Sequence, residues 1–440
     1  MTPAQLKKLD KELNAFLAYI IDGMGRPERR RAMALYLTGL LMDGHRKTLV
    51  SMASRLVEHD NEAEAMRQRL QQCVTISGWA DMEVRCRLAV LFEKRLKPDA
   101  YVIDDTGFPK KGEYSVGVAR QYSGTLGRTD NCQVASSLHV ATDEASGCIG
   151  MRLYLPEAWA SDIRRRRQAG IPDDVGFERK WEIAIGLLDE ALEWGLPKRL
   201  VIADAGYGDS TEFRDALDAR RCPFLVGVSN THLVWPPGSN PRLSKRRTRM
   251  GRPRTRYRDG RRKPVSISTA SESLRYRKFT VADGRGGTKS GYFAFARVHL
   301  AERHTKGRPP SELVWLICEW RPAKKERRYF VSNLPGSTTK SELVRLVKLR
   351  WRVERDYQEL KGQIGLDHFE GRTWRGFHHH VTFVRWPTGF WQCSAGFSPR
   401  RRYRWTLPMV RRRLQQLLIA RVGICPLCRQ TVDATGPPRG

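Results

Sequence analysis

The sequence predicts an α/β fold, with a mixed sheet and flanking helices, a helical N-terminal domain and a β-rich insertion. Three observations predict it. Apolar residues follow the helical period up to about residue 95, strand and helix patterns then alternate, and a second group of strand patterns follows a very basic segment. The predicted domains are a helical region at 1–95, the two parts of a core at 96–228 and 336–385, the insertion at 229–335 and a basic C-terminal region at 386–440.

The charge of the chain predicts its class of partner. Its 440 residues include 79 Lys and Arg against 47 Asp and Glu, a formal net charge of +32 at pH 7. Such an excess repels itself unless a polyanion neutralises it, so nucleic acid is expected, and an RNA-binding protein would explain the charge equally well. No apolar run has membrane-spanning length and no secretory signal opens the chain, which predicts a cytoplasmic, nucleoid-associated protein without a membrane partner.

The nine cysteines are odd in number and mostly scattered, which argues against a disulfide framework. Only Cys425 and Cys428, in "CPLC", have the spacing of metal ligands. One CxxC is half of a zinc site, so two interpretations remain. The pair either binds zinc together with a distant pair or a second subunit, or it stays reduced near the end of the chain.

The N-terminal region is predicted to be helical because "RRRAMALYLTGLLMDGHRKTLVSMASRLV" has apolar residues at helical spacing. Basic residues are interleaved with them. This pattern is typical of a helical module that binds DNA, and equally of a helical cap or dimerisation element with a solvated basic face.

The first part of the core has the order β-β-β-α-β-α-β. Its segments are strands at 101–104, within 132–156 on either side of the turn "DEASG", at 199–204 and at 223–228, and helices at 177–195 and 210–220. This is the order of an RNase H-like core, in which the strands at 101–104 and 199–204 lie side by side. Asp104 and Asp204 end these two strands, where functional groups gather in α/β sheets, so we expect both carboxylates at one site.

The insertion begins with "RLSKRRTRMGRPRTRYRDGRRKP", a basic stretch typical of a long loop, and continues with four strand patterns. Within it, Arg252 and Arg254 of "GRPR" either enter an A·T-rich minor groove or simply bind phosphate. Trp315 or Trp320 of the strands either stacks on a flipped base or packs in the core.

A long helix is predicted over 339–364, with one apolar stripe against the sheet. The stripe consists of Leu346, Val353, Leu360 and Ile364. Glu354 lies at its border, four residues after Arg350, and one interpretation is a surface ion pair that contributes about 0.3–0.5 kcal/mol. In the other, Glu354 joins Asp104 and Asp204, and oxygen ligands of this kind suit Mg²⁺ or Mn²⁺ ions that act on phosphodiesters.

Several segments resemble those of DDE transposases from bacterial insertion sequences. They include "VIDDTGFPKKG", "VIADAGYGD" and "RWRVERDYQELKGQIGLDHFEGRTWRGFHHH", and the resemblance extends over roughly residues 20 to 385. The group it indicates is the DDE-superfamily endonucleases, within a larger superfamily that carries a Tyr-Arg-Glu-Lys signature.

The resemblance implies Asp104, Asp204 and Glu354 as catalytic residues that hold two Mg²⁺ or Mn²⁺ ions, with Asp104 preferred over Asp105. The signature Arg and Lys fall on Arg350 and Lys361, and the signature Tyr falls on Val347. Such a valine weakens the case for a hairpin intermediate. The residues expected to bind DNA are Arg350, Lys361, Lys110, Lys111, Arg252 and Arg254.

The activity implied is Mg²⁺-dependent cleavage at the terminal inverted repeats of an element, followed by 3′-OH strand transfer into target double-stranded DNA by a homodimer. A nuclease of the same fold without strand transfer, and a catalytically decayed protein that binds DNA ends, are the alternatives. Two local expectations accompany it. His378, His379 and His380 should begin a helix near DNA, and the apolar helix should fail after residue 385, where Pro387 and Gly389 occur.

Overall fold

A computed structural model of the protein describes residues 1–42, 44–243, 257–260, 262–282, 287–301, 310–393 and 407–422. Arg252, Arg254, Cys425 and Cys428 lie outside these residues. The N-terminal region is helical, as predicted. Its helices are α1 (Pro3–Ile21), α2 (Pro27–Leu41), α3 (Leu49–Leu56), α4 (Ala63–Gln71) and α5 (Asp81–Leu96).

The strands and helices predicted for the first part of the core occur in the predicted order, with further elements between them. Its elements are β1 (Ala100–Pro109), β2 (Ala119–Ser123), β3 (Arg128–Ala141), β4 (Ser146–Leu153), α6 (Glu157–Ala160), α7 (Ile163–Ala169), α8 (Lys180–Glu193), β5 (Leu200–Ala203), α9 (Ala205–Gly208), α10 (Thr211–Ala219) and β6 (Phe224–Val228). The strand β2 and the short helices α6, α7 and α9 were not predicted. The expectation that the first strand ends at Asp104 was wrong, because β1 pairs with β3 from Ala100 as far as Pro109.

The remaining elements include the four strands expected in the insertion. They are β7 (Leu233–Val234), β8 (Arg242–Leu243), β9 (Tyr257–Arg258), β10 (Val265–Ser266), α11 (Ile267–Glu272), β11 (Arg277–Ala282), β12 (Thr288–Val298), β13 (Val314–Arg321), β14 (Glu326–Ser332), α12 (Lys340–Leu349), α13 (Trp351–Glu359), α14 (Trp374–Cys393) and α15 (Leu407–Val422).

One large sheet joins the core and the insertion. Its order is β11-β12-β13-β14-β6-β5-β1-β3-β2, and β4 pairs with β3. The two parts meet where β14 runs antiparallel to β6, with Tyr329 opposite Val228. The strands of the insertion therefore extend the sheet that carries Asp104, whereas β7 to β10 form two small separate pairs.

The helix predicted over 339–364 is divided into α12 and α13 at Arg350, and it ends in a π-helical turn at Leu360–Ile364. The predicted apolar stripe is confirmed: all four of its residues are buried. This burial fixes which face of α13 meets the sheet, and it leaves Glu354 at the border.

The helix α14 continues to Cys393, so the expectation that it fails after residue 385 was wrong. Pro387 lies inside it, and Trp386 and Phe390 are buried. Gly389 permits close packing, since a Cβ there would lie 2.7 Å from Cδ2 of Leu88 in α5.

The N-terminal helices and the sheet share one hydrophobic cluster, in which α5 packs against both β4 and α14. No helix in the described part of the chain is long and apolar enough to cross a membrane.

Candidate active site

Asp104 and Asp204 lie on neighbouring parallel strands. The strands β1 and β5 pair from Ala100 opposite Leu200 to Val102 opposite Ile202, which confirms that they lie side by side. Asp104 comes two residues after the last of these pairs, and Asp204 directly follows β5. The side chain of Asp204 also caps the short helix α9, because its Oδ1 accepts a hydrogen bond of 3.0 Å from the Gly206 N–H.

Two glycines bring the turn after Asp204 close to β6. A Cβ on Gly208 would lie 1.9 Å from the Gly227 carbonyl oxygen, and a Cβ on Gly227 would lie 2.9 Å from the Ala205 nitrogen. Real Cβ atoms do not approach this closely. The glycines of "DAGYGD" and "VGV" therefore let α9 pack on the sheet, and this packing places Asp204.

Arg350 lies between the acidic residues. One terminal nitrogen of its guanidinium donates to Oδ2 of Asp104 at 2.9 Å, and the other donates to Oε1 of Glu354 at 2.7 Å. Burial opposes the charge of Arg350, but the carboxylates of Asp104, Glu354 and Asp204 together raise its pKa. The side chain of Glu354 is 54% exposed against 11% for Asp104, so the site opens to solvent on the side of α13.

The two aspartates are electrostatically coupled. Burial raises the pKa of Asp104 to about 7, although the charge of Arg350 opposes this, and the charge of Asp204 raises it further. Burial also raises the pKa of Asp204 against the effect of Arg350. Two carboxylates whose pKa values are raised in this way are stabilised by a nearby cation, since a cation favours their charged forms.

Asp105 faces other partners. Its Oδ1 accepts hydrogen bonds from the hydroxyls of Tyr207 and of Ser136, the latter at 3.0 Å. Its Oδ2 accepts a bond of 2.8 Å from Lys180 Nζ. Both oxygens of Asp105 are therefore engaged away from Arg350, which favours Asp104 as the functional aspartate.

The lysines expected to bind DNA differ in their surroundings. Lys110 Nζ donates to the Phe369 carbonyl at 2.6 Å, and Lys361 Nζ donates to the Gly107 carbonyl at 2.8 Å. Burial lowers the pKa of each of these two lysines. Lys111 is exposed and lines a cleft of about 600 Å³, so it is the lysine most accessible to a phosphate.

The histidines of "HHH" lie in the first turns of α14, as predicted for a helix start, and their position near DNA stays a prediction. His379 and His380 are buried. The ring of His379 contacts the Val74 carbonyl at 2.9 Å, and the ring of His380 contacts the Tyr36 hydroxyl at 2.8 Å. These rings connect α14 to the N-terminal helices.

Trp315 and Trp320, the tryptophans considered for base stacking, also have partners within the protein. Trp315 is buried, and its Nε1 donates to the Pro335 carbonyl at 3.0 Å, so the interpretation of core packing is confirmed for it. The ring of Trp320 is half-buried, and the guanidinium of Arg327 lies 5.6 Å from its centre.

A polar cluster beneath the site was missed by sequence reasoning. It consists of Ser137 and His139 on β3 and of Asp356 and Tyr357 on α13. Two signals were available. Ser137 and His139 are two residues apart and so lie on one face of a strand, and the other two residues follow Glu354 within one helical turn.

Two carboxylates on neighbouring parallel strands, Asp104 within β1 and Asp204 directly after β5, together with a third on a later helix, are the arrangement of a DDE-type endonuclease, and the large mixed sheet is consistent with an RNase H-like fold. The chain belongs to the DDE-superfamily endonucleases, whose family model matches residues 20–312. The matched range includes Asp104 and Asp204 and ends before Glu354.

A curated relative points in the same direction. The chain is 33% identical over 199 residues to a protein of Microchaete diplosiphon described as a probable transposase for insertion sequence element IS701. The matched segment covers 44% of this chain and 48% of the relative, so the likeness extends over about half of each protein.

Proposed function

We propose that this protein is a transposase that cleaves DNA at the terminal inverted repeats of an insertion sequence and transfers the freed 3′-OH into target DNA. The main observation behind this proposal is that the guanidinium of Arg350 donates hydrogen bonds to both Asp104 and Glu354. The charge of Asp204 also raises the pKa of Arg350. The family membership and the likeness to a probable transposase support the same proposal. The proposal also includes that the protein acts as a homodimer, which binds the two ends of the insertion sequence and is associated with the nucleoid.

Endonucleases of this superfamily generally use divalent metal ions. Asp104 and Asp204 fit such an ion in their donor chemistry, because they are carboxylates on neighbouring strands, one buried and one half-buried, whose pKa values are raised. Within the described ranges, however, no three Asp, Glu, His or Cys side chains stand together as a metal site, and Glu354 is instead bonded to Arg350. We propose Asp104 and Asp204 as ligands of two Mg²⁺ or Mn²⁺ ions, with Glu354 as the third ligand.

When bound, the ions would supply a nucleophilic oxygen at neutral pH and charge that stabilises the leaving oxygen. The chain itself positions the DNA. In the first reaction, water forms a new P–O bond and the bond from phosphorus to the 3′-oxygen breaks, which leaves a 3′-OH. That 3′-OH then forms a P–O bond with a target phosphodiester, whose own 3′-oxygen leaves.

The basic side chains would hold the phosphates during both reactions. Lys111 is exposed at the cleft, and the ammonium groups of Lys110 and Lys361 keep further donors beyond their bonds to backbone carbonyls. Arg350 would contribute its positive charge beside the acids. Arg252 and Arg254, outside the described residues, complete the proposed DNA contacts.

The test is an assay of purified protein on duplex DNA that carries the element's own end and flank. With Mg²⁺ we expect a nick at the element boundary, and with EDTA we expect none. Asp104→Asn and Glu354→Gln should lower the cleavage rate at least about 100-fold. The matched control is Asp189→Asn, because Asp189 pairs with Arg220 outside the site at 2.5 Å.

The same gel separates the alternatives. Cleavage without joining of the 3′ end to target DNA would indicate a nuclease without strand transfer. Specific retention of end DNA without any cut would indicate a decayed, end-binding protein. Full cleavage by Glu354→Gln would contradict the proposed role of Glu354.

A further inference from the structure

We propose that His139 is a positioning residue that sets the distance between the helix carrying Glu354 and the strand carrying Asp104. The proposal rests on the proposed function and concerns how its site is held together. His139 lies on β3 in the register position opposite Val102, and Ser137 lies opposite Asp104. None of the side chains of this network is that of Asp104, Asp204 or Glu354.

Both ring nitrogens of His139 have a partner. Nδ1 lies 2.9 Å from Oδ2 of Asp356, and the carboxylate must accept, so Nδ1 carries a proton. Nε2 lies 3.0 Å from the Ser137 hydroxyl. The second oxygen of Asp356 accepts a bond of 2.7 Å from the Ser146 hydroxyl on β4. Asp356 is thereby attached to two strands at once.

The chain of hydrogen bonds returns to α13 one residue later. The hydroxyls of Ser137 and Tyr357 are 2.6 Å apart, and the Tyr357 ring meets the His139 ring edge-on at 5.5 Å between centres. Ser137 also donates to the backbone carbonyl of Asp104 at 3.4 Å. One continuous network therefore runs from the backbone of Asp104 to the residues that follow Glu354 by two and three positions.

Because this network is buried, it resists movement of α13 relative to the sheet. His139 and Ser137 are fully buried, and a buried polar group without its partner is costly, so the helix cannot slide or rotate without breaking these bonds. Apolar contacts such as that of Val353 hold α13 on the sheet but tolerate small shifts. A displacement of about 1 Å at a reacting centre can cost about 100-fold in rate.

The experiment compares two tyrosine-to-phenylalanine variants. Tyr357→Phe removes the bond to Ser137, whereas Tyr36→Phe removes an equally buried bond of 2.8 Å to His380, away from the acids. Ser137→Ala and His139→Gln interrupt the network at its other members. For each protein we would measure the single-turnover cleavage rate, the Kd for end DNA, Tm and hydrogen exchange of the α13 amides.

We expect Tyr357→Phe, Ser137→Ala and His139→Gln to lower the cleavage rate about 10- to 100-fold with an unchanged Kd, and to speed exchange in α13. Tyr36→Phe should lower Tm only. The double variant Ser137→Ala with Tyr357→Phe should lose no more rate than the worse single variant, because both remove the same bond.

A purely structural network would lower Tm and leave the cleavage rate intact below the transition, and that result would overturn the proposal. An equal loss of rate in Tyr36→Phe would overturn it as well. If the wild-type protein does not cleave, the proposed function fails, and exchange in α13 still reports whether these residues hold the helix: unchanged exchange in all three variants would refute the network on its own.

Discussion

The buried histidines of α14 contribute to how the stability of the protein responds to acid. His380 is enclosed, with its Nδ1 facing the Tyr36 hydroxyl at 2.8 Å and its Nε2 facing the Gly365 carbonyl at 3.2 Å. These partners suit a neutral ring that accepts at Nδ1 and donates at Nε2. Burial lowers the pKa of His380 to about 3. An unfolded chain titrates the same group near its ordinary value.

The sign of the pH effect follows from this difference. Below a pH of about 6.5, His380 binds a proton in the unfolded state but not in the folded state. The free energy of unfolding therefore falls as the pH falls toward 3. Between pH 7 and pH 5, His380 should cost about 2 kcal/mol of unfolding free energy. We expect His380→Gln to reduce the difference between these two pH values by that amount.

Urea denaturation at pH 7 and at pH 5 measures the difference. His378 and His379, whose pKa values burial lowers to about 4, act in the same direction and remain in the variant. The control is His59→Gln, since His59 is exposed. An unaltered pH difference in His380→Gln would show that this ring is not held neutral.

At the residue scale, the sequence predicted which acidic residues lie on neighbouring strands better than it predicted the hydrogen-bond partners of individual side chains. Asp104 and Asp204 were placed together because strand order alone makes their strands adjacent. The role of Lys110 as a donor to the Phe369 carbonyl was not predictable, because it depends on a loop 259 residues away in the chain. The partners of the histidines were not predictable for the same reason, because they lie in helical segments far earlier in the sequence.

At the scale of elements, the turn after β5 carries the tightest packing near the site. Gly208 in α9 faces the Gly227 carbonyl of β6, and a methyl group at Gly208 would overlap this oxygen. We predict that Gly208→Ala displaces α9 together with Asp204. Cleavage should be lost, and the unfolding free energy should fall by about 1–3 kcal/mol, as for other overpacked sites.

A matched glycine provides the control. Gly336 lies in an exposed loop, and a methyl group there would have no neighbouring atom within 4 Å, so Gly336→Ala should keep both activity and stability. The measurements are single-turnover cleavage and denaturant unfolding. Full activity in Gly208→Ala would mean that the position of Asp204 does not depend on this contact.

Elements were predicted well where periodicity was regular. The helical region before residue 95 and the strands of the core follow their patterns. The predicted ends of β1 and α14 were wrong for the same reason, because a polar residue or a proline was taken to end the strand or the helix. Asp104 is held within β1 by pairing to β3, and Pro387 is held within α14 by burial of Trp386 and Phe390. In both places, tertiary contacts override the local preference.

At the scale of the whole molecule, the insertion and the core are continuous. Pairing of β14 with β6 brings together residues about a hundred positions apart, such as Tyr329 and Val228, and no local pattern encodes that choice. The N-terminal helices join the same hydrophobic cluster. Composition predicts a class of partner, because charge adds over the chain, but it does not predict which basic groups stay exposed.

Total charge and individual exposed basic groups should affect DNA binding in different ways. With a formal net charge of +32, the association constant for duplex DNA should fall steeply with salt, by about 1000-fold or more between 50 and 200 mM if six or more phosphates are contacted. Lys111→Gln should reduce the slope of log K against log salt by about 0.9, the loss of one phosphate contact.

The control is Lys198→Gln, since Lys198 is also exposed but precedes β5, at the end of that strand away from Asp204. Fluorescence anisotropy over a salt series measures both slopes. A smaller slope in Lys111→Gln alone would place a phosphate in the cleft beside Lys111. If the slopes of both variants equal that of the wild type, DNA does not contact Lys111 in this cleft. If both slopes are reduced equally, the two lysines act only through the overall charge of the protein.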